Sequence, residues 1–376
     1  MLLLSKKFGL IRFALFLFLC ISAQAARAVC LYDSSGNTSR KAFFVKAYAD
    51  VFYAFDFNEP AGQTRLNFLS NYNRHNEVNL NWGFIHTGIE NARYRANVAL
   101  QAGSFVTDNY AAEPAIMRNI YQANAGFSID RNGKYWIDAG IFPSHIGFES
   151  TNSFENSTLS RSFVAETTPY YLSGVKLSGL PDSNWSWQII LCNGWQRMQR
   201  ISGNSMLSAG TKLAYKTTTG FSLNWSTFVG TDDPDSTRRM RYFNNFYGNF
   251  TLGNKTELIA GFDFGLQQRK KLSAMYHCWF SPVLILKYKI SEKLAATARA
   301  EYFNDANGII LPLFEKPRFN ARSASLNIDF NHSENMLLRI ECRWMNSSYK
   351  LFTRQDQTVR DNLCLLGSIA VQFGDK

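Results

Sequence analysis

Runs of about ten to fourteen residues that alternate apolar and polar side chains recur along the whole chain, and the links between them alternate short and long. No other feature constrains the fold as tightly. Period two marks a β-strand, because successive side chains leave the backbone on opposite faces. In "ARYRANVALQAG" (92–103), Arg93, Arg95, Asn97 and Gln101 share one face, while Tyr94, Val98 and Leu100 share the other. "VKAYADVFYAFDF" (45–57) sets Lys46, Asp50 and Asp56 against Val45, Val51 and Tyr53, although Tyr48 and Phe52 blur its polar side. About sixteen such segments can be drawn: 44–57, 76–88, 92–105, 119–130, 134–142, 170–180, 185–193, 206–216, 221–230, 241–252, 255–267, 276–290, 293–304, 321–331, 335–346 and 362–373. A length near ten suits a tilted membrane strand better than the ~5–6 residues of a soluble one.

The links decide where the two faces go. Short turns fall near Asn91 and at 131–133, 181–184, 217–220, 253–254, 291–292 and 332–334. Longer links (58–75, 106–118, 143–169, 194–205, 231–240, 268–275, 305–320, 347–361) come between them without a break in phase. Outer-membrane barrels have this asymmetry of tight periplasmic turns and long outer loops, and a soluble β-sandwich has no reason to keep it. The expected fold is all-β: a transmembrane antiparallel β-barrel of about sixteen strands, within bounds of fourteen to eighteen. Eight of the nine prolines fall in links. Because proline cannot donate to a ladder, the ninth, Pro282, predicts that strand twelve begins only at Val283.

Other features agree. Past the N-terminus no stretch reaches the ~18 apolar residues of a spanning helix, so entry into a bilayer requires a closed barrel. Aromatics make up 15% of the chain and charged residues 18%, against ~25% charged in an ordinary soluble protein. The N-terminus reads as a secretory signal: Lys6, Lys7 and Arg12, an apolar stretch over 13–21, then Ala23-Gln24-Ala25, with Ala26-Arg27-Ala28 as a second cleavage site. The expected organisation is signal 1–25, periplasmic segment 26–43 and barrel 44–376. Five cysteines remain after cleavage, widely spaced and without a CxxC pair, so neither a disulfide framework nor a zinc site follows, and no cofactor is expected. The net charge of +11 is scattered rather than clustered. It therefore argues against nucleic acid and for anionic headgroups or an anion-tolerant lumen.

No catalytic constellation is visible. The five histidines are dispersed, and there is no GxSxG, HExxH or P-loop. Ser144 and His145 are neighbours, but adjacent residues of an extended chain face opposite ways. An enzyme is not expected. The polar faces carry the candidate pore-lining charges. Lys46, Asp50, Arg93, Arg95 and Asp138 lie in the first half of the chain, with Lys176, Lys212 and Lys216 near its middle. Arg299, Glu301, Arg339, Glu341 and Arg343 lie near its end, and Glu257 and Asp263 also fall on polar faces. Such charges either set ion preference in a wet bore or form a salt-bridged network that only stiffens the wall. A slight excess of base predicts weak anion preference. The longest link, 143–169, carries Glu149, Glu155, Arg161 and Glu166, and either folds inward as a constriction or stays on the surface.

This link also carries a family likeness. The stretch from Trp136 to Gly179, with Gly140-Ile141-Phe142, Gly147-Phe148-Glu149, Ser160-Arg161-Ser162 and Pro169-Tyr170-Tyr171, resembles the outer-membrane β-barrel porins of the OmpL-like type. Asn193-Gly194-Trp195-Gln196, "VALQAG" (98–103) and "RAEYFND" (299–305) are similar to that family too, in the same order along the chain. The resemblance implies a barrel pore in the bacterial outer membrane and supplies no catalytic residue. The expected function is diffusion of small hydrophilic solutes. The rivals are a plugged barrel binding a surface partner and an outer-membrane hydrolase. Expected partners are outer-membrane lipid, further copies of the chain, and the barrel-assembly machinery, which reads a C-terminal strand such as "LGSIAVQF" (366–373).

Overall fold

The computed structural model describes residues 42–66, 68–311 and 318–374. The expected signal peptide and nearly all of the expected segment 26–43 lie outside the described residues. Sixteen strands close into one antiparallel barrel among the described residues. They are β1 (Ala42–Asp56), β2 (Val78–Glu90), β3 (Tyr94–Ala102), β4 (Ile120–Ser128), β5 (Tyr135–Pro143), β6 (Tyr171–Gly179), β7 (Trp185–Cys192) and β8 (Ser208–Lys216). They continue with β9 (Phe221–Gly230), β10 (Arg241–Leu252), β11 (Thr256–Gln268), β12 (Tyr276–Lys289), β13 (Leu294–Asp305), β14 (Phe319–Ser333) and β15 (Met336–Asn346). A hairpin, β16 (Phe352–Arg354) with β17 (Gln357–Val359), sits in the last long link. The final strand β18 (Asp361–Gly374) then pairs with both β15 and β1, from Asp56↔Cys364 to Lys46↔Gly374, and closes the cylinder.

The two faces are inverted relative to a soluble sheet. On β14, Ser325, Asn327 and Asp329 are buried, while Leu326 is 69% exposed and Ile328 and Phe330 are exposed with it. Apolar residues meet the outside and polar residues the interior, which is stable only when the outside is lipid. Aromatic pairs lie at both ends of this outer face, where a membrane-interface belt places such residues. Trp185–Tyr215 lie at the short-turn end and Tyr242–Tyr276 at the long-loop end.

Side-chain carboxylates and amides set the short turns by accepting the backbone donors that the reversal leaves unpaired. Asn91 Oδ1 accepts the N–H groups of Arg93 and Tyr94 (2.8 and 2.9 Å). Asp182 accepts those of Asn184 and Trp185 (2.8 and 2.9 Å), and these bonds hold its carboxyl below the usual range.

Most strand ends shift by one or two residues from the sequence reading, and two differences have a distinct structural cause. Pro282 does not delay β12: the strand begins at Tyr276 and runs through it. Pro282 pairs with Phe262 of β11, and towards β13 the pairing passes from Phe280↔Asn304 directly to Val283↔Glu301. The missing donor thus falls in a gap of one ladder, with the ring exposed on the lipid face. β3 ends at Ala102, three residues before the expected 105. Gly103, at φ +132, lies so close to β2 that an added Cβ would sit 2.3 Å from the Asn81 carbonyl oxygen. The chain then turns into helix α1 (Ser104–Asn109).

Candidate functional site

The long link 143–169 lies inside the bore. Its neck is closed by Ser144 N–H donating to Tyr170 O (3.0 Å), and its anchors run around the inner wall. At β9, His145 Nε2 bonds Thr227 O (2.8 Å) and Ser226 Oγ donates to His145 O (2.9 Å). Gly147 N–H then donates to Asn245 of β10 (3.2 Å), and Phe148 packs on Tyr247 beside the side-chain gap of Gly261 on β11. Further on, Ser153 N–H donates to Tyr48 OH of β1 (2.9 Å), and Leu159 N–H to Asn327 of β14 (3.1 Å). Helix α2 (Phe163–Glu166) sets Val164 against Val283 and Ile285 of β12, while Phe163 N–H donates to Glu301 of β13 (2.6 Å). Tyr48 and Phe52, which blurred the polar face of β1, are buried beneath the inner links: Tyr48 meets Phe154, and Phe52 meets Tyr72 and Leu159.

The loop rests on a buried ionic shelf. Arg299 approaches Glu301 (3.2 Å) and Glu341 (3.0 Å), Arg343 pairs with Glu301 (2.7 Å), and Arg339 grips Asp329 bidentately (2.7 and 2.8 Å). The spare donors turn to the loop backbone. Arg299 Nη1 donates to Ser160 O (2.7 Å), Arg339 to Ser153 O and Asn156 O (both 2.9 Å), and Arg343 to Arg161 O (3.1 Å). Glu341 accepts Ser160 N–H. These five charges of β13 and β15 point into the bore, but the loop covers them. They form its seat rather than a water-washed surface. Asp50, also buried, accepts the hydroxyls of Tyr48 and Tyr72 (3.2 and 2.5 Å), and Asp263 accepts Asn245 Nδ2 (2.6 Å).

The loop's own charges are mostly internal struts. Glu149 accepts both the N–H and the Oγ–H of Ser162, tying the two limbs together. The Arg161 guanidinium donates to the carbonyls of Ser150, Leu159 and Thr151. Glu166 accepts Ser70 N–H (2.8 Å) and both donors of Asn71, binding the loop to the first long link. Burial raises the carboxyls of Glu149 and Glu166. Glu155, which accepts Ser150 Oγ–H (2.6 Å), is the exposed one of the four.

A different arc of wall is not bonded by the loop. Inward side chains of β3–β8 nearer the short turns make no hydrogen bond to the loop among the described residues. Arg95 forms two bonds to Asp138 (2.6 and 2.5 Å) and lies 4.2 Å over the Trp136 ring, while Lys176 approaches the same carboxylate (3.7 Å). Arg95 reaches from β3 to β5 because Gly126 lies between them on β4; a Cβ there would sit 2.2 Å from Asp138 Oδ1. Sequence reasoning missed Gly126, and it also missed Asp329, although Asp329 lay on the polar face of a recognised segment. Lys212 is partly exposed on β8, and Lys46 is exposed near the start of β1. Arg93 departs from expectation: it precedes β3, exposed in the Asn91 turn. Lys216, the last residue of β8, is exposed at the short-turn rim, where Glu257 also pairs with Lys289 (2.6 Å). Ser144 and His145 form no dyad, since Ser144 Oγ accepts Ile146 N–H (3.2 Å) and the ring bonds a carbonyl.

Comparison with known proteins agrees with this architecture. No curated protein sequence matches. Among solved structures, an anion-selective porin from Comamonas acidovorans superposes with TM-score 0.59 at 9% identity, over 89% of this chain and 100% of that one. The outer-membrane channel DcaP of Acinetobacter baumannii gives 0.58 at 10% identity, covering 92% and 100%. OmpF of Salmonella typhi gives 0.56 at 12%, covering 89% and 98%. Identities this low speak for the fold alone. The family model described as "Putative beta-barrel porin-2, OmpL-like" matches residues 43–373. The chain belongs to this OmpL-like β-barrel porin family of the bacterial outer membrane, and is a diffusion channel.

Proposed function

We propose that this porin passes small hydrophilic solutes with a weak preference for anions, along the wall of β3–β8 that the inward loop leaves clear. One observation carries the reading: on the wall of β3–β8 the acid is hidden while the bases beside it are partly exposed, whereas the arginines of β13 and β15 are buried under the loop. Side-chain exposure is 3% for Asp138, against 22% for Arg95 and 19% for Lys176. Lys287 repeats the pattern beside Asp329, at 21% against 3%. A charged ring acts on a passing ion through groups that water reaches, because buried pairs cancel at short range. One solved barrel with this fold is an anion-selective porin. The loop serves as a fixed constriction, and the chain acts as a channel rather than an enzyme. Reversal potentials across a planar bilayer in a potassium chloride gradient test the preference, and clear cation selectivity overturns it.

A second reading has its own support. The first long link and helix α1 also fill the outer mouth, burying Tyr72, Phe105 and Tyr110. A barrel plugged in this way would act through its outer loops. It would give neither conductance nor liposome swelling, so those assays separate the two readings. A trimer form is recorded for the related barrel OmpT of Vibrio cholerae. Assembly with further copies, contact with outer-membrane lipid and delivery by barrel-assembly machinery belong to the same proposal.

A further inference from the structure

A cleft of about 270 Å³ opens on the outer side of the inward loop. Its floor is the end of that loop (Glu166 to Thr168), and its sides come from the links after β3, β7, β9 and β13. A solute arriving from outside meets it before the constriction. We propose that this cleft binds small organic carboxylates, holding the carboxylate at Arg197 and Arg241 and the hydrocarbon part against Ile309–Leu311. The proposal rests on the channel reading for its place on a solute route, but its chemistry stands on the residues themselves.

Arg197 is the first argument. Among the described residues its guanidinium makes no hydrogen bond, no carboxylate lies within 4.0 Å of it, and its Nε is buried without a partner. A buried donor left unmade is costly, so it marks a position for an acceptor that arrives from elsewhere. Arg241 is the second. Its Nε and Nη2 both spend themselves on one neutral oxygen, Gln267 Oε1 (2.9 and 2.8 Å), and Nη1 has only a long contact to Asp232 (3.9 Å). Its guanidinium is held 5.1 Å from the Trp195 ring and 5.8 Å from that of Trp279, which with the Gln267 bonds fixes the group in place and leaves Nη1 as the arm for an arriving acceptor.

The acids of the cleft are already engaged. Glu166 accepts three N–H donors from Ser70 and Asn71, and Asp232 Oδ1 accepts Trp195 N–H (2.9 Å). The free capacity is therefore cationic, and the class of ligand is anionic. The apolar run Ile309–Leu311 distinguishes an organic acid from a bare inorganic anion, which gains nothing from a hydrocarbon wall. The volume lies just under the usual ~300–1,000 Å³ of drug-sized pockets, which restricts the ligand to a small molecule.

The test is calorimetric titration of the purified barrel in detergent with sodium pentanoate and with pentanamide, its neutral analogue. Pentanoate should bind about tenfold or more tightly than pentanamide, as expected for a charge-assisted bidentate contact. Arg197→Gln should lose that advantage, Arg197→Lys should recover part of it, and Asp232→Asn should strengthen pentanoate binding. Retained heat-modifiable gel mobility verifies that each variant folds. Equal binding of the acid and the amide, or undiminished pentanoate binding by Arg197→Gln, overturns the site. Planar-bilayer conductance of the same samples keeps the two readings apart. A barrel that binds pentanoate but carries no current refutes the channel and leaves the site standing. A conducting barrel without the pentanoate preference does the reverse.

Discussion

Replacing Glu341 with glutamine removes one charge from the shelf beneath the loop and changes almost no volume. Glu341 has two partners, the Arg299 guanidinium at 3.0 Å and the Ser160 N–H of the loop. An amide has a single acceptor oxygen, so in the variant one of these donors faces an NH₂ group. Arg299 is left with Glu301, which Arg343 already shares at 2.7 Å. Every side chain involved is at most 2% exposed, so water cannot take the place of the lost charge. Breaking a buried pair by removing one partner costs about 3–5 kcal/mol. At ~1.4 kcal/mol per factor of ten, the population with this segment released rises by roughly two to three and a half decades. Trypsin reads that population through Arg161, which is fully buried in the seated loop. When opening is fast relative to cleavage, the cutting rate follows the open fraction. The control is Glu257→Gln, whose pair with Lys289 is 37–50% exposed and solvent-screened. It is worth ~0–1 kcal/mol, a change of at most about fivefold and at a site remote from the loop. Single-channel conductance of Glu341→Gln should rise together with the cleavage rate. Cleavage after Arg161 within about fivefold of wild type would refute the idea that the shelf holds the loop.

Three further outcomes follow from the same wall. Leu326→Arg places a charge in lipid and should cost ~2–4 kcal/mol near mid-bilayer, measured as a lower urea midpoint for liposome-inserted barrel; an unchanged midpoint would contradict the assignment of faces. Lys176→Glu combined with Lys212→Glu should move the reversal potential towards cations, whereas the same change at Arg93, exposed in a turn, should move it much less. Pro282→Ala should leave the thermal midpoint of the gel-mobility shift within a few degrees, since the ring faces lipid beside a gap in the β13 ladder; a large loss would mean that the proline is needed for the bend of β12.

Strand existence was legible wherever alternation was strong, as in β13, β14 and β15, because period two is a local property of the chain. The outward address of the apolar faces was legible from link lengths, which report topology without needing contacts. Two boundaries were not. The end of β3 depends on how closely Gly103 approaches Asn81, and the course of β12 through Pro282 depends on which neighbour tolerates a missing donor; both are facts about the adjacent strand. The candidate site was legible as a set of charged residues but not as roles. Whether Arg343 is wet or buried depends on the path of a loop far earlier in the chain, since Arg343 Nη1 donates to Arg161 O, 182 residues away in sequence. Arg197 carried no sequence signal, because its significance is the absence of a partner among the described residues, and spacing cannot report that.

The two charged regions of the bore share one construction and differ in whether the loop is bonded to them. Arg95 on β3 meets Asp138 on β5 across Gly126 of β4. Arg343 on β15 meets Glu301 on β13 across Ser323 and Ser325 of β14. In each case the partners are two inter-strand spacings apart, about 9.5 Å, and a small residue on the middle strand leaves room for the long side chains to join. The difference lies in what the arginines do with their spare donors. Arg299, Arg339 and Arg343 stand together over β13–β15 and have more N–H groups than their carboxylates can accept, so they bind loop carbonyls and close over with backbone. Arg95 spends two donors on Asp138 and covers its face with Trp136, and Lys176 is a partly exposed point charge 3.7 Å from the same carboxylate. A cluster of arginines therefore recruits the loop, while an isolated arginine beside lysines leaves its wall wet. On the route proposed above, the side of the bore left to a solute follows this distribution of guanidinium and ammonium groups rather than net charge.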